Sequence, residues 1–377
     1  MSNLKIINFK CFENISIPLN QLTVLAGANG YGKSTAIQSL LFLRYTIESD
    51  FKLHENFYMT GNAETNTEVS LNTGYLLSLG NSAQIINRNS NSTVIGIEIF
   101  TSDNQISAEY EANNIESDLH LKVKNIYENS RIEAIIKKEF YYLNAERIGP
   151  RFSQNLQYYD YPNAGFQGEY VAQLISERSG YLAVDKERFF KETSNPGLEF
   201  QVNEWLNFIM PGVRISAKRS NETFTAQIQI ENIYTKGEPI VATNIGFGIS
   251  YVLPIIATGL IAKKDSYFIV ENPEAHLHPA AQTSIGYFLG MVANNGVKVV
   301  VETHSDHVIN GIQIAVVSKV IKSDKVTINY FSESRSESQP NVKSINLKEN
   351  GELTEWPKGF FDQTQIDYAQ LINLRRG

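Results

Sequence analysis

The chain has 377 residues, 42% of them apolar, and its 33 Lys and Arg against 40 Asp and Glu leave a formal net charge of −7. That supports one large domain or a few smaller ones, and it excludes a global basic field for nucleic acid, leaving only a local groove possible. The single cysteine, Cys11, excludes an internal disulfide or a Cys-x-x-Cys metal site and points to a reducing, cytoplasmic setting in which it is simply a small buried residue.

Residues 1–19 alternate apolar and polar side chains without the apolar stretch of a secretory leader, so two strands are expected over 4–9 and 15–19. Residues 22–26 form a short apolar strand that runs straight into glycines, and a helix is expected over 34–48. Between 48 and 138, Asn- and Ser-rich turns separate alternating segments at 93–100, 105–112 and 119–124, the texture of a β-rich insertion. A core strand is expected at 139–143, an amphipathic helix at 198–210, and a strand pair at 213–218 and 223–230. From 251 onward the order is helix, strand 267–270, helix, strand 298–301, helix, the rhythm of a parallel sheet between helices. The longest apolar run, 249–262, is interrupted by Pro254 and Gly259 and falls short of the roughly 20 residues of a membrane span, so no membrane partner is expected. The fold class is therefore α/β, a mixed sheet flanked by helices with a β-rich insertion. Its expected parts are 1–47, the insertion 48–138, a middle lobe 139–234, the second part of the core 235–330, and a C-terminal subdomain 331–377.

The strongest chemical signal is Gly27-Ala28-Asn29-Gly30-Tyr31-Gly32-Lys33-Ser34, which has the Walker A spacing of a P loop between a strand and a helix. Backbone N–H groups at a helix N-terminus suit phosphate, and the glycines permit close approach. Lys33 is then expected to neutralise the β- and γ-phosphates of ATP, and Ser34 to ligate Mg2+. Gly27, Asn29, Gly30, Gly32 and Thr35 complete the cradle, with Thr35 toward the α-phosphate. A Gly-rich turn that matches by chance is the competing reading, and the flanking strand and helix weigh against it.

The strand 267–270 ends on Glu271, the shape of a Walker B element, with Glu in place of the more usual Asp as magnesium ligand. A solvated strand-end acid is the alternative. A third strand end, Glu302-Thr303-His304-Ser305-Asp306, offers His304 to a γ-phosphate or to water. His276, His278, His304 and His307 crowd one region near Glu274, and zinc is a competing use of such ligands, although no further spaced ligand set supports it.

Phe9-Lys10-Cys11-Phe12, the block from Glu271 to Pro279 and Glu302-Thr303-His304-Ser305 together resemble the ABC/SMC-like AAA ATPases, the overcoming-lysogenisation-defect type included. Asn144-Ala145-Glu146-Arg147-Ile148-Gly149-Pro150-Arg151 and Trp356-Pro357-Lys358-Gly359-Phe360-Phe361-Asp362-Gln363 are similar to a small prokaryotic subgroup with a C-terminal domain of unknown function. The resemblance implies a P-loop NTPase of ABC type whose site is completed by a signature loop of a second subunit. Asn244-Ile245-Gly246-Phe247-Gly248-Ile249-Ser250 matches that loop, with Asn244, Gly246, Gly248 and Ser250 as donors to the γ-phosphate; without the family it is a Gly-rich helix start. It also implies that His304 is the switch histidine and that Arg147 makes a structural or γ-phosphate-sensing contact.

One departure concerns the chemistry. The wider family has an acid after the Walker B carboxylate, whereas this chain has Asn272, whose amide can orient water but cannot take its proton. Glu274 or His304 then serves as base, or turnover is slow, or there is no turnover and the chain is an ATP sensor. A homodimer or higher homo-oligomer is expected. Its favoured task is control of a separately encoded effector, a nuclease or toxin, in defence against phage or plasmids, since too little sequence follows Trp356 for the Toprim nuclease domain of larger relatives. The alternative is an ATPase that engages DNA in maintenance or repair, which the acidic balance and the lack of heptad arms oppose.

Overall fold

The computed structural model describes residues 1–59, 67–129, 133–177, 182–232, 238–244, 246–334 and 338–376. The chain opens with an antiparallel hairpin, β1 (Ser2–Phe9) and β2 (Phe12–Leu19), followed by β3 (Leu22–Gly27) and the helix α1 (Lys33–Asp50). Four later strands, β4 (Glu68–Ser70), β5 (Ile95–Phe100), β6 (Gln105–Glu111) and β7 (His120–Asn129), extend the hairpin into a six-stranded sheet of order β2-β1-β5-β6-β7-β4. The alternating 48–138 segment therefore shares one sheet with the N-terminus, through the antiparallel pairing of Asn3–Ile7 with Gly96–Phe100.

The central sheet gathers β8 (Tyr141–Leu143), β11 (Tyr267–Glu271), β12 (Lys298–Thr303), β3, β13 (Val326–Ser332) and β14 (Asn341–Asn346), in that order, parallel except at the last edge. Between β8 and β11 in sequence lie α2 (Leu198–Ile209), the hairpin β9 (Val213–Ser220) and β10 (Thr225–Asn232), and α3 (Phe247–Ile261). The helices α4 (Pro279–Asn294) and α5 (Asp306–Val317) follow β11 and β12. Phe268, Val270, Val299 and Val301 enter one core with α2 to α5, while Tyr267, Ile269 and Val300 enter the other with α1 and the N-terminal sheet. This period-two alternation is that of a sheet covered on both faces. The next residues in register, Glu271 and Glu302, consequently fall on the α1 side.

The Trp-Pro motif closes the far edge. Phe360 is fully buried, with its ring 5.2 Å from those of Tyr330 and Trp356 and 4.9 Å from that of Phe361. No helix among the described residues is long and apolar enough to cross a membrane.

Candidate functional site: a phosphate cradle facing three carboxylates

The sequence runs from β3 through three positive-φ glycines into α1, so the loop turns on itself before the helix begins. At Gly27, φ is +135° and an added Cβ would lie 2.1 Å from the Phe331 carbonyl oxygen; at Gly32 it would meet Phe12 and the Cys11 sulfur. The hairpin turn of the Phe9-Lys10-Cys11-Phe12 motif thus supports the P loop from below, and the Cys11 thiol lies 3.7 Å from the Thr35 hydroxyl. Ala28, Asn29 and Gly30 are exposed at the mouth, and nothing lies within 4 Å of a Cβ placed on Gly30.

Lys33 is 4% exposed and donates to the Gly27 and Ala28 carbonyls at 2.9 and 2.8 Å. Burial holds its ammonium below the usual lysine range, with Glu302 and Glu274 pulling it back up. Ser34 donates to Glu302, 3.1 Å from one carboxylate oxygen and 3.3 Å from the other. Glu302, which the sequence reading passed over, is therefore the carboxylate in contact with the P-loop serine, because β12 lies between β3 and β11 and pairs Glu302 with both Leu25 and Glu271. Its signal was available: Val299-Val300-Val301-Glu302 repeats the apolar run with a terminal acid seen in Phe268-Ile269-Val270-Glu271. Burial first, and then the charge of Glu271, push Glu302 up to about 7.

Glu271 accepts from the Tyr142 hydroxyl at 2.8 Å, and that hydroxyl accepts from the Asn144 amide at 2.9 Å. Burial also raises Glu271. Both oxygens of Glu274 are engaged, one by the Thr303 hydroxyl at 2.8 Å and one by the His304 N–H at 2.7 Å. The His304 ring is hydrogen-bonded to the Gly27 backbone, and burial, then Lys33, hold it below the usual imidazole range.

Arg147 is 2% exposed and binds backbone only: Asn144 at 3.0 Å, Glu271 at 2.8 Å and Asn272 at 2.6 Å. Its guanidinium lies 5.1 Å from the Tyr251 ring centre, and burial pushes it down to about 10, where it still carries its charge at neutral pH. Asn272 sits at a φ of 44° with its N–H on the Glu302 carbonyl, and its side-chain oxygen is buried without a hydrogen-bond partner among the described residues.

The signature-like loop, which the resemblance assigns to a second subunit's site, lies outside this chain's own cluster. Asn244 and Gly246 are exposed, Ile245 lies outside the described residues, and Ser250 is half-buried beside Gly149 and Leu253. Gly248 abuts the His276 carbonyl, and the Phe247 ring lies 5.2 Å from that of His276. The four histidines serve separate places: His276 packs on Tyr251, His278 caps α4, His304 meets the P loop, and His307 lies 3.7 Å from Asp306. Among the described residues no three His, Cys, Asp or Glu side chains form a metal cage, an arrangement that magnesium shared with phosphates does not require.

A solved structure described as the SmcHead bound to the C-winged helix domain of ScpA is 15% identical, with a TM-score of 0.54, covering 92% of this chain and 97% of that one. An Smc head domain with an extended coiled coil, bound to the C-terminal domain of ScpA derived from Pyrococcus furiosus, is 13% identical with a TM-score of 0.53 and the same coverage. At such identities the likeness is one of fold. No protein with a curated description matches the chain. Residues 321–371 match a family described as protein of unknown function DUF3696. Residues 22–310, well over half the chain, match the family described as "AAA domain, putative AbiEii toxin, Type IV TA system", so the chain belongs to that family of AAA-domain proteins.

Proposed function

We propose that the chain binds ATP with magnesium and hydrolyses it slowly, and that two copies close over the nucleotide so that its occupancy controls a separately encoded effector in prokaryotic defence. The observation that carries this reading is the meeting of Lys33, Ser34 and Glu302 at the N-terminus of α1, with Glu271 and Glu274 beside them. Three carboxylates near one ammonium leave an excess of negative charge. A hard divalent cation neutralises such a set, and the hydroxyl and carboxylate oxygens of Ser34 and Glu302 are donors that magnesium accepts, with Glu271 one strand further away.

Bound magnesium supplies charge neutralisation for the β- and γ-phosphates. The remaining work falls to the chain. Lys33 exchanges its two loop carbonyls for phosphate oxygens, and the α1 N-terminus directs its N–H groups at the same place. Tyr142 holds Glu271 in one orientation. Glu274 fixes the turn that presents His304, whose lowered value keeps the ring neutral at pH 7. Asn272 orients water without accepting a proton, which limits the rate. Arg147 holds the backbone on which Glu271 and Asn272 stand.

Closure of two copies is supported by the exposed Asn244, Gly246 and Phe247 at the α3 N-terminus, whose donors have a second copy's phosphate as a natural acceptor. The family's printed description, a putative toxin of a type IV TA system, supplies a toxin–antitoxin setting in which control of a separately encoded partner would act.

The test is phosphate release by the purified chain with its solution mass. We expect slow release, a dimer only with ATP and magnesium, and loss of both in Lys33→Ala. Equal release by wild type and Lys33→Ala contradicts hydrolysis at this site. Release stimulated by DNA in a salt-dependent manner contradicts the effector reading in favour of DNA engagement.

A further inference from the structure

Beneath the turn that carries Asn144 and Arg147 lies a second cavity, of about 280 Å³, separate from the P loop. Among the described residues fourteen line it; eight of these are Tyr or Phe, two are acidic, and none is basic. Tyr158, Tyr159, Tyr161 and Tyr170 provide ring surface, and Asp160, which is exposed, and Glu169 provide the carboxylates. Glu169 is already engaged by the Phe166 and Gln167 N–H groups, so Asp160 is the carboxylate nearer to hand for a ligand. Thr258 of α3 also lines the cavity; it is 2% exposed and its hydroxyl has no hydrogen-bond partner among the described residues. A buried hydroxyl without a partner is costly unless something else supplies the bond.

Aromatic faces attract cations, a carboxylate reinforces the attraction, and a hydroxyl oxygen accepts from N–H. The same aromatic cluster already holds one guanidinium: Arg44 lies 5.0 Å from the Phe140 ring centre on its way to Glu48. We infer that this cavity is a binding site for an organic monocation, a guanidinium or ammonium group, with tyrosine rings around its body and the Thr258 hydroxyl accepting from its N–H. The shared chemistry admits two sources, a free small cation or an arginine or lysine tip of a partner protein.

The cavity reaches the nucleotide site through Tyr142, which lines it and also donates to Glu271 at 2.8 Å. Phe166, on another wall, accepts from the Asn144 N–H at 2.8 Å. A filled cavity therefore restrains the side chain that orients Glu271. This coupling rests on the ATPase reading, whereas the binding site does not.

The experiment titrates the whole chain, without nucleotide, with ethylguanidinium and with its neutral isostere ethylurea, reading binding by calorimetry and tyrosine fluorescence. The site predicts saturable binding of ethylguanidinium alone, weakened about fivefold or more in Asp160→Asn and in Thr258→Val. Equal binding of ethylurea, no binding of either, or unchanged affinity in both variants overturns it. A capped Gly-Arg-Gly peptide that binds more tightly than ethylguanidinium assigns the source to a protein side chain; a weaker one assigns it to a free cation. Phosphate release at saturating ethylguanidinium, measured separately, must change if Tyr142 transmits occupancy, and an unchanged rate overturns the coupling alone.

Discussion

Glu302 holds the Ser34 hydroxyl at 3.1 Å, and burial, then the charge of Glu271, push its carboxyl up to about 7. Glu271 has a local signal, the Walker B-like apolar run before it, whereas neighbour relations in a sheet are not written in local sequence. Only the strand order, with β12 next to β3, brings Glu302 to Ser34. The shape of the loop, from β3 through its positive-φ glycines into α1, was legible because glycine acts through local backbone. Arg147 was legible as a residue with a role, and its three backbone contacts show what the structural half of that expectation amounts to. Glu302 also carries a pH prediction for the metal-free chain. Its folded value of about 7 lies above the ordinary 4.5, so its stabilising contribution is fully present below about 4.5 and is lost as pH rises through about 7. Glu302→Gln removes that loss, by at most about 3 kcal/mol. With chelator present, its melting temperature is expected to exceed that of wild type at pH 8 and to converge with it toward pH 5; a constant difference across this range contradicts the assignment.

At the level of elements, β11 and β12 were readable as core strands because burial on both faces makes each a continuous apolar run that ends on polar residues, while the assignment of alternate residues to two cores was not. The sharing of one sheet between residues 3–7 and 96–100 was not, because pairing across that separation has no local signal. The crossing of α4 and α5 is set by two glycines. A Cβ on Gly286 would lie 2.1 Å from the Val308 carbonyl oxygen, and one on Gly311 would lie 2.0 Å from that of Thr283. Gly311→Ala must push the helices apart and is expected to cost about 1–3 kcal/mol in urea unfolding. A variant as stable as wild type contradicts the close approach. Since α4 and α5 follow the strands that carry Glu271 and Glu302, nucleotide affinity is expected to weaken in the same variant.

For the whole molecule, the central sheet separates two cores and carries the candidate site at one end, where β3, β11 and β12 finish together. The acidic balance seen in the composition has a local counterpart in Glu271, Glu274 and Glu302, a set that repels bare nucleotide and favours it once a cation is present. Affinity for ATP is therefore expected to depend steeply on magnesium. The measurement that tests the central claim most directly is a calorimetric titration of the chain with ATP, with and without magnesium, for wild type and Glu302→Ala. The account predicts one site per chain, tight only with the cation, and a weakened magnesium requirement in the variant. Equal heats in all four titrations, or none in any, would contradict it.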